Sequence, residues 1–364
     1  MLHTADGSGN PASTRVVSHR EAANPAAVRP GCEGGTVRSG HARPASVAAG
    51  LAVAVSAAVG CAPAVDCGAV VTPLHEPVGA CLRFGVSTPG GPTAVDEFER
   101  VAEIAGTPPT VVLSFSDFAS PPPVAGLAAV RRLGADPIVT WEPWRWLGDG
   151  RYERSEFTMA SIVAGVHDDY LYRWADELAA WGSTVYLRFA HEPNGTWYPW
   201  SPTGGTPPHV YVAAWRHVHE LFASKGVANV KWVWAPNVSF EGSSAIADLY
   251  PGAEYVDVVG VDGYNWGATQ PWSRWTSPRE LFEETLDELG RIAPGKPIAV
   301  TEVGSTDVGG SKPDWVADLI SFLDDRADVA AFVWFDHDKE TDWRLASTPE
   351  SAAALAEALQ RRQR

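Results

Sequence analysis

Two glutamates close apolar runs that read as buried strands, Glu192 at the end of "TVYLRFAHE" (184 to 192) and Glu302 in "PIAVTEVG" (297 to 304). Brought together across one pocket, such a pair can cleave a glycosidic bond: one carboxylic acid protonates the leaving oxygen while the other carboxylate attacks the anomeric carbon or activates water. Their neighbours separate the two roles. Arg188, one layer deeper in the first strand, is expected to keep a carboxylate ionised, and Tyr264 is placed to donate a hydrogen bond to Glu302, so Glu302 suits a nucleophile. Around Glu192, by contrast, His191 and the loop carrying Trp197, Tyr198 and Trp200 would exclude water and raise the pKa of an acid/base. Pro193 and Gly195 turn the chain away once Glu192 is placed. "HEPNG" is not a zinc motif, because no second histidine stands at helical spacing and Pro193 forbids the helix.

Residues so far apart need a scaffold that collects strand ends. From Arg83 onward, short β-branched runs alternate with amphipathic stretches of helical length. The eight candidate strands span 83 to 88, 110 to 118, 136 to 144, 184 to 192, 230 to 237, 256 to 264, 297 to 304 and 329 to 336. Between them, 168 to 182, 210 to 226, 277 to 293 and 313 to 327 repeat apolar residues at three and four, "SPRE" at 277 to 280 is a capping box, and 349 to 362 supplies a closing helix. Eight strands with intervening helices in about 280 residues predict an α/β fold, a (β/α)8 TIM barrel. An open doubly wound sheet would call for a better phosphate loop than "GVSTPGGP".

A barrel of this kind carries its site at the C-terminal strand ends. Those ends read Ser87, Asp117, Trp141 with Glu142, His191 with Glu192, Asn237, Asp262 with Tyr264, Glu302, and Trp334 with Asp336. The ring is acidic and aromatic, as suits a neutral sugar polymer, whose flat faces stack on aromatic rings while carboxylates and amides bind its hydroxyls. Alternation is expected to put Arg188, Ala190 and Glu192 on one face, and Ile298 and Val300 on the face of Glu302. Asn237 and Arg188 are expected as supports, and Glu142 as a ligand for a sugar hydroxyl. Trp232 and Trp234 include at least one packing residue, and Trp144, Trp146, Trp272 and Trp275 are outer subsites or core.

Four blocks in order, "RFAHEPNGTWYPW", "WVWAPN", "YPGAEYVDVVGVDGYNWG" and "KPIAVTEVGS", resemble glycoside hydrolase family 26 over residues 83 to 340. That resemblance implies a retaining enzyme with Glu192 as acid/base and Glu302 as nucleophile, and with His191, Trp197, Asp262, Tyr264 and Trp334 lining the subsite at the point of scission. It implies an endo-β-1,4-mannanase first, with a lichenase or a β-1,3-xylanase as alternatives. Mannan-cleaving members usually carry a histidine near the end of strand three, whereas this chain has "TWEPW" with Trp141 and Glu142, which leaves the alternatives open.

Composition bounds the partners. With 45% hydrophobic and 20% charged residues the chain is globular. Its formal charge is −16, and residues 1 to 60 hold five Arg against Asp6, Glu21 and Glu33, leaving −18 for the remainder. Such a body repels nucleic acid and anionic membranes, so a neutral β-linked polysaccharide and a monomer are expected. Residues 1 to 82 read as a secretory leader and low-complexity linker, 83 to 364 as the catalytic domain. The apolar stretch 46 to 60 resembles a signal h-region with a true start downstream of Met1, and "AVGC" ending at Cys61 resembles a lipoprotein cleavage box. The chain is therefore expected outside the cell, free or lipid-anchored. Cys32, Cys61, Cys67 and Cys81 all precede the first strand, a Cys67–Cys81 bridge is plausible after export, and no cofactor or metal site is implied. A non-catalytic glycan-binding barrel is the alternative of another class, and a transglycosylase would use the same residues.

Overall fold

The structure, a computed structural model, describes residues 72–76, 81–148 and 151–362. The signal-like stretch, Cys32, Cys61 and Cys67 lie outside the described residues. Cys81 is disulfide-bonded.

Eight parallel strands close into a barrel: β1 (Arg83–Ser87), β2 (Val111–Asp117), β3 (Asp136–Glu142), β4 (Val185–Phe189), β5 (Val230–Trp234), β6 (Val258–Asn265), β7 (Ile298–Ser305) and β8 (Val329–Phe335). Each pairs with its sequence neighbours, and β8 returns to β1. The helices are α1 (Val95–Ala105), α2 (Val124–Arg132), α3 (Met159–Val163), α4 (Asp168–Trp181), α5 (Pro208–Ser224), α6 (Pro278–Ile292), α7 (Lys312–Asp324) and α8 (Pro349–Arg361). Ser277 and Glu280 form the capping box that starts α6. The connection from β5 to β6 has only two 3-10 turns, Ile246–Leu249 and Ala253–Tyr255, because Pro251 and Gly252 interrupt any longer helix. Between β3 and α3 a hairpin pairs Arg145–Trp146 with Tyr152–Glu153. Among the described residues no helix is long and apolar enough to cross a membrane.

Period-two alternation divides the apolar residues into two cores. Val111, Leu113, Ile138, Tyr186, Val233, Val258, Ala299, Ala331 and Val333 fill the barrel. Val112, Val139, Leu187, Val259, Val300 and Phe332 point out against the helices. Leu74 joins the inner core at full burial, and its backbone N–H donates to the Tyr186 hydroxyl at 2.9 Å. His75 Nδ1 lies 2.9 Å from the same oxygen, so residues 72–76 plug the end of the barrel opposite the strand C-termini. Nearer those termini, Gly260 keeps the interior open: a Cβ there would stand 2.8 Å from Thr301 Oγ1 and 2.5 Å from the Ala235 Cβ.

Candidate active site

The floor of the mouth is Arg188, an inward residue of β4 with no exposed surface. Its Nε donates to Thr140 Oγ1 at 2.8 Å and Nη1 to Asp262 Oδ2 at 2.6 Å, while Nη2 binds Glu302 Oε1. Burial alone would strip its proton, but Asp262 and Glu302 reverse that and hold the guanidinium charged. Asp262 also accepts from Thr301 Oγ1 at 2.6 Å. Its carboxyl is pushed well up by burial, against the pull of Arg188. One cation thus ties β3, β4, β6 and β7 together. Replacing Arg188 with Met strands two buried carboxyls and is expected to cost about 3–5 kcal/mol of stability, read as a lowered urea midpoint.

β4 ends at Phe189, short of the run to Glu192 that its sequence suggests. Ala190 and Glu192 adopt left-handed backbone with φ of 45° and 50°. Those conformations are costly for residues with a Cβ and persist only where the surroundings enforce them. Here Ala190 N–H donates to Trp141 O at 3.0 Å and Glu192 N–H to Ala235 O at 2.6 Å, which ties the distorted end to both neighbouring strands. The expected alternation of Arg188, Ala190 and Glu192 therefore fails. Ala190 joins the outer core, and the double reversal lets both His191 and Glu192 reach the mouth. Asn194, fully buried, pins the loop: its Nδ2 donates to Asn237 O at 2.9 Å and its Oδ1 accepts from Asn237 N–H at 2.8 Å.

Glu302 arrives by a different irregularity. Ile298 and Val300 sit in the outer core, not on its face. The pairing shifts from Val261↔Val300 to Asp262↔Glu302, a bulge that resets the alternation and turns Glu302 inward. Besides Arg188, the Tyr264 hydroxyl donates to Glu302 Oε2 at 2.6 Å, so both carboxylate oxygens are held.

Among the described residues no cation is bonded to Glu192. Trp197 Nε1 donates to Oε2 and Asn237 Nδ2 to Oε1, each at 2.7 Å. Burial, followed by repulsion from Glu302, raises its pKa to about 7, against the two hydrogen bonds and Arg188. Two carboxyls in one pocket are thus pushed apart in role: Glu302 is bonded to a guanidinium, and Glu192 can hold a proton near neutrality. His191 is buried, with Nε2 2.9 Å from the Tyr198 hydroxyl and Nδ1 without a hydrogen-bond partner among the described residues. Burial and then Arg188 keep its pKa well below the usual value, so the ring is neutral.

The aromatic loop divides into a base and a rim. Trp200 is buried, donates to His191 O at 2.7 Å and stacks on Tyr198 at 4.3 Å between centroids. Trp197 is 44% exposed and stacks on Phe240 at 5.7 Å, which leaves it as the exposed ring of the loop. Glu142 faces inward beside Thr140 and is buried.

Trp141 and Trp334 do not line the mouth, contrary to expectation. Trp141 packs outward on Trp174 of α4 at 4.2 Å, and Trp334 lies outside the barrel near Trp315 of α7, donating to Trp343 O at 2.8 Å. Alternation explains both, since their inward neighbours are Glu142 and Phe335. Phe335 meets Tyr264 edge-on at 5.8 Å and stacks on His337 at 3.9 Å. Trp232 and Trp234 both face outward and pack. Trp144 is buried, whereas Trp146 and Trp272 are exposed. Asn194, Thr140, Phe335 and the loop carrying His337, Lys339 and Trp343 escaped sequence reasoning. The inward parity of Thr140 and Phe335 was a usable signal, but the loop offered none.

The model of glycosyl hydrolase family 26 matches residues 161–305. Endoglucanase H of Acetivibrio thermocellus is 36% identical over 290 residues, which cover 76% of this chain and 30% of that protein. The chain therefore spans under a third of that relative. Mannan endo-1,4-beta-mannosidase A and B of Caldalkalibacillus mannanilyticus is 34% identical over 136 residues, 35% of this chain and 23% of that protein. Among solved structures, the catalytic domain of a Bacillus sp. JAMB-750 endo-beta-1,4-mannanase superposes with a TM-score of 0.60 at 20% identity, covering 79% of this chain and 88% of that one. That likeness concerns the fold, whereas the family model spans the sequence around both glutamates and, with the long match to endoglucanase H, makes this chain similar to glycoside hydrolase family 26.

Proposed function

We propose that this chain is a retaining endo-β-glycanase acting on a neutral β-linked polysaccharide. The observation that carries the reading is the asymmetry of the two carboxyls: Glu302 is bonded by Arg188 and Tyr264, and Glu192 is held near neutrality with no cation bonded to it among the described residues. In the first step Glu302 attacks the anomeric carbon while Glu192 gives its proton to the glycosidic oxygen, and the carbon–oxygen bond to the leaving chain breaks. In the second, the ionised Glu192 takes a proton from water, whose oxygen displaces Glu302 and restores the original configuration. The substrate class follows from the aromatic rim and from the negative charge, which disfavours polyanions. Within that class a β-glucan comes before mannan, because the match to an endoglucanase runs over 290 residues and that to a mannosidase over 136.

Reducing-sugar release from barley β-glucan, glucomannan, galactomannan and β-1,3-xylan tests this, with the anomer of the first product followed by NMR. Release of β-anomer supports retention, and an α-anomer excludes it. Binding without release would favour a non-catalytic barrel, and chain-lengthened products at high glycan concentration a transglycosylase. The pH profile has a defined sign: Glu192 must enter the first step protonated, so kcat/KM is expected to fall as pH rises through about 7. We also propose export, supported by the signal-like stretch 46 to 60 and by the disulfide at Cys81. Intact mass of the mature protein tests it, together with lipidation at Cys61.

A further inference from the structure

Besides Glu192, Glu302 and the Arg188-bound Asp262, the mouth holds a further carboxyl that the two-step reaction does not use. Glu142, at the end of β3, is 5% exposed and faces inward. Its Oε2 accepts from two indoles, Trp144 Nε1 at 3.0 Å and Trp146 Nε1 at 2.9 Å, while Oε1 receives no hydrogen bond from any described residue. Those indoles are well placed to fix the carboxyl. Trp144 is clamped between Tyr152, stacked at 4.0 Å, and Trp200 at 5.0 Å, and Trp146 is fastened through its backbone N–H to Asp117 Oδ2 at 2.8 Å. Trp146 and Tyr152, 42% and 37% exposed, form the rim above it.

A buried carboxyl that needed only to fasten its loop would bring both oxygens into that task. This one commits a single oxygen and leaves the other free. β3 pairs with β4, so Glu142 stands at the mouth beside the strand that delivers Glu192, within electrostatic reach of Glu302 on the opposite strand β7. We propose that Glu142 recognises, through Oε1, a hydroxyl of the sugar bound in the mouth between Glu192 and Glu302, as a specificity residue for neutral pyranoses. The inference rests on the glycanase reading above. A hydroxyl is the fitting partner because it can both donate and accept, and so suits the carboxyl whether or not it is protonated. Burial, with Glu302 adding to it, brings the Glu142 pKa to about 7, so both forms are present near neutrality. A uronic acid would instead set its carboxylate against Glu142 and Glu302.

Two variants separate recognition from loop fastening. Glu142→Gln keeps an acceptor for both indoles and loses only the choice of form at the free position, whereas Glu142→Leu loses both. Each is made in the active protein, for KM and kcat, and in a Glu302→Ala background, for oligosaccharide Kd by calorimetry, on the glycan the parent cleaves best. Glu142→Leu is expected to raise Kd and KM about tenfold, the scale of one lost hydrogen bond to a buried group. Glu142→Gln is expected to fall between the parent and Glu142→Leu, with an unchanged melting temperature. If Kd and KM stay at parental values in both variants, Glu142 only fastens the indoles and the inference is wrong. A loss confined to kcat would overturn it too, in favour of a role in positioning Glu302. If the parent neither binds nor cleaves any of the four polysaccharides, the glycanase reading itself falls, and this inference with it.

Discussion

Glu302→Ala is expected to lower kcat on the preferred polysaccharide by roughly 10^4- to 10^6-fold, the scale seen when a covalent nucleophile is removed. The remaining pocket makes the variant informative. Arg188 keeps its bond to Asp262, so the barrel retains its central cation pair. Azide fits the space that the carboxylate vacates and is attracted by the same guanidinium. Added azide should therefore restore turnover on an activated aryl glycoside, and the glycosyl azide it forms should have inverted configuration, because the attack comes from the nucleophile's side and is not followed by a second displacement. Loss of Glu302 also removes the neighbouring charge that helps raise Glu192, so the Glu192 pKa should fall from about 7. Carboxyl NMR titration would read that shift. Residual activity above about 1% of the parent, with retained configuration, would mean that another group carries the covalent step.

Glu192→Ala should produce a different pattern. Removing a general acid costs about 10^2- to 10^4-fold, and the cost should depend on the leaving group. A polysaccharide alkoxide needs the proton, whereas an aryl glycoside with a good leaving group does not. On the aryl substrate the first step should then remain fast and the second slow, giving a burst of released phenol equal to the enzyme concentration. The fall of kcat/KM above about pH 7 should disappear with the group that causes it. An equal loss on both substrates, with no burst, would take the acid/base role away from Glu192.

The barrel was legible because its evidence is repeated: eight β-branched runs and the helices between them report the same period many times over. Glu192 and Glu302 stood out as candidates because they lie in blocks with many defining residues. Orientation within a strand was harder to read. Strict alternation carries Ile298 and Val300 to the face of Glu302, but one bulge reverses it, and nothing in "AVTEV" marks a bulge. Likewise the left-handed turns at Ala190 and Glu192 involve residue types that give no turn signal, unlike glycine. For Trp141 and Trp334 the attraction of a large ring near a strand end outweighed parity, and parity was right. Trp200, expected to help exclude water around Glu192, also donates to the His191 carbonyl. Such partnerships depend on loops that meet only in space.

The two left-handed residues also bear on how this barrel can change over time. Backbone strain of roughly 1–3 kcal/mol at each non-glycine site is a standing load, sustained here by the strands on either side of β4. Substitutions that let residues 190 to 192 relax into a regular strand would make the protein more robust to heat and to mutation elsewhere. The same relaxation would swing His191 or Glu192 out of the mouth. At this corner, selection for durability and selection for turnover pull in opposite directions, and adaptation to hotter conditions is left to reinforce the barrel elsewhere.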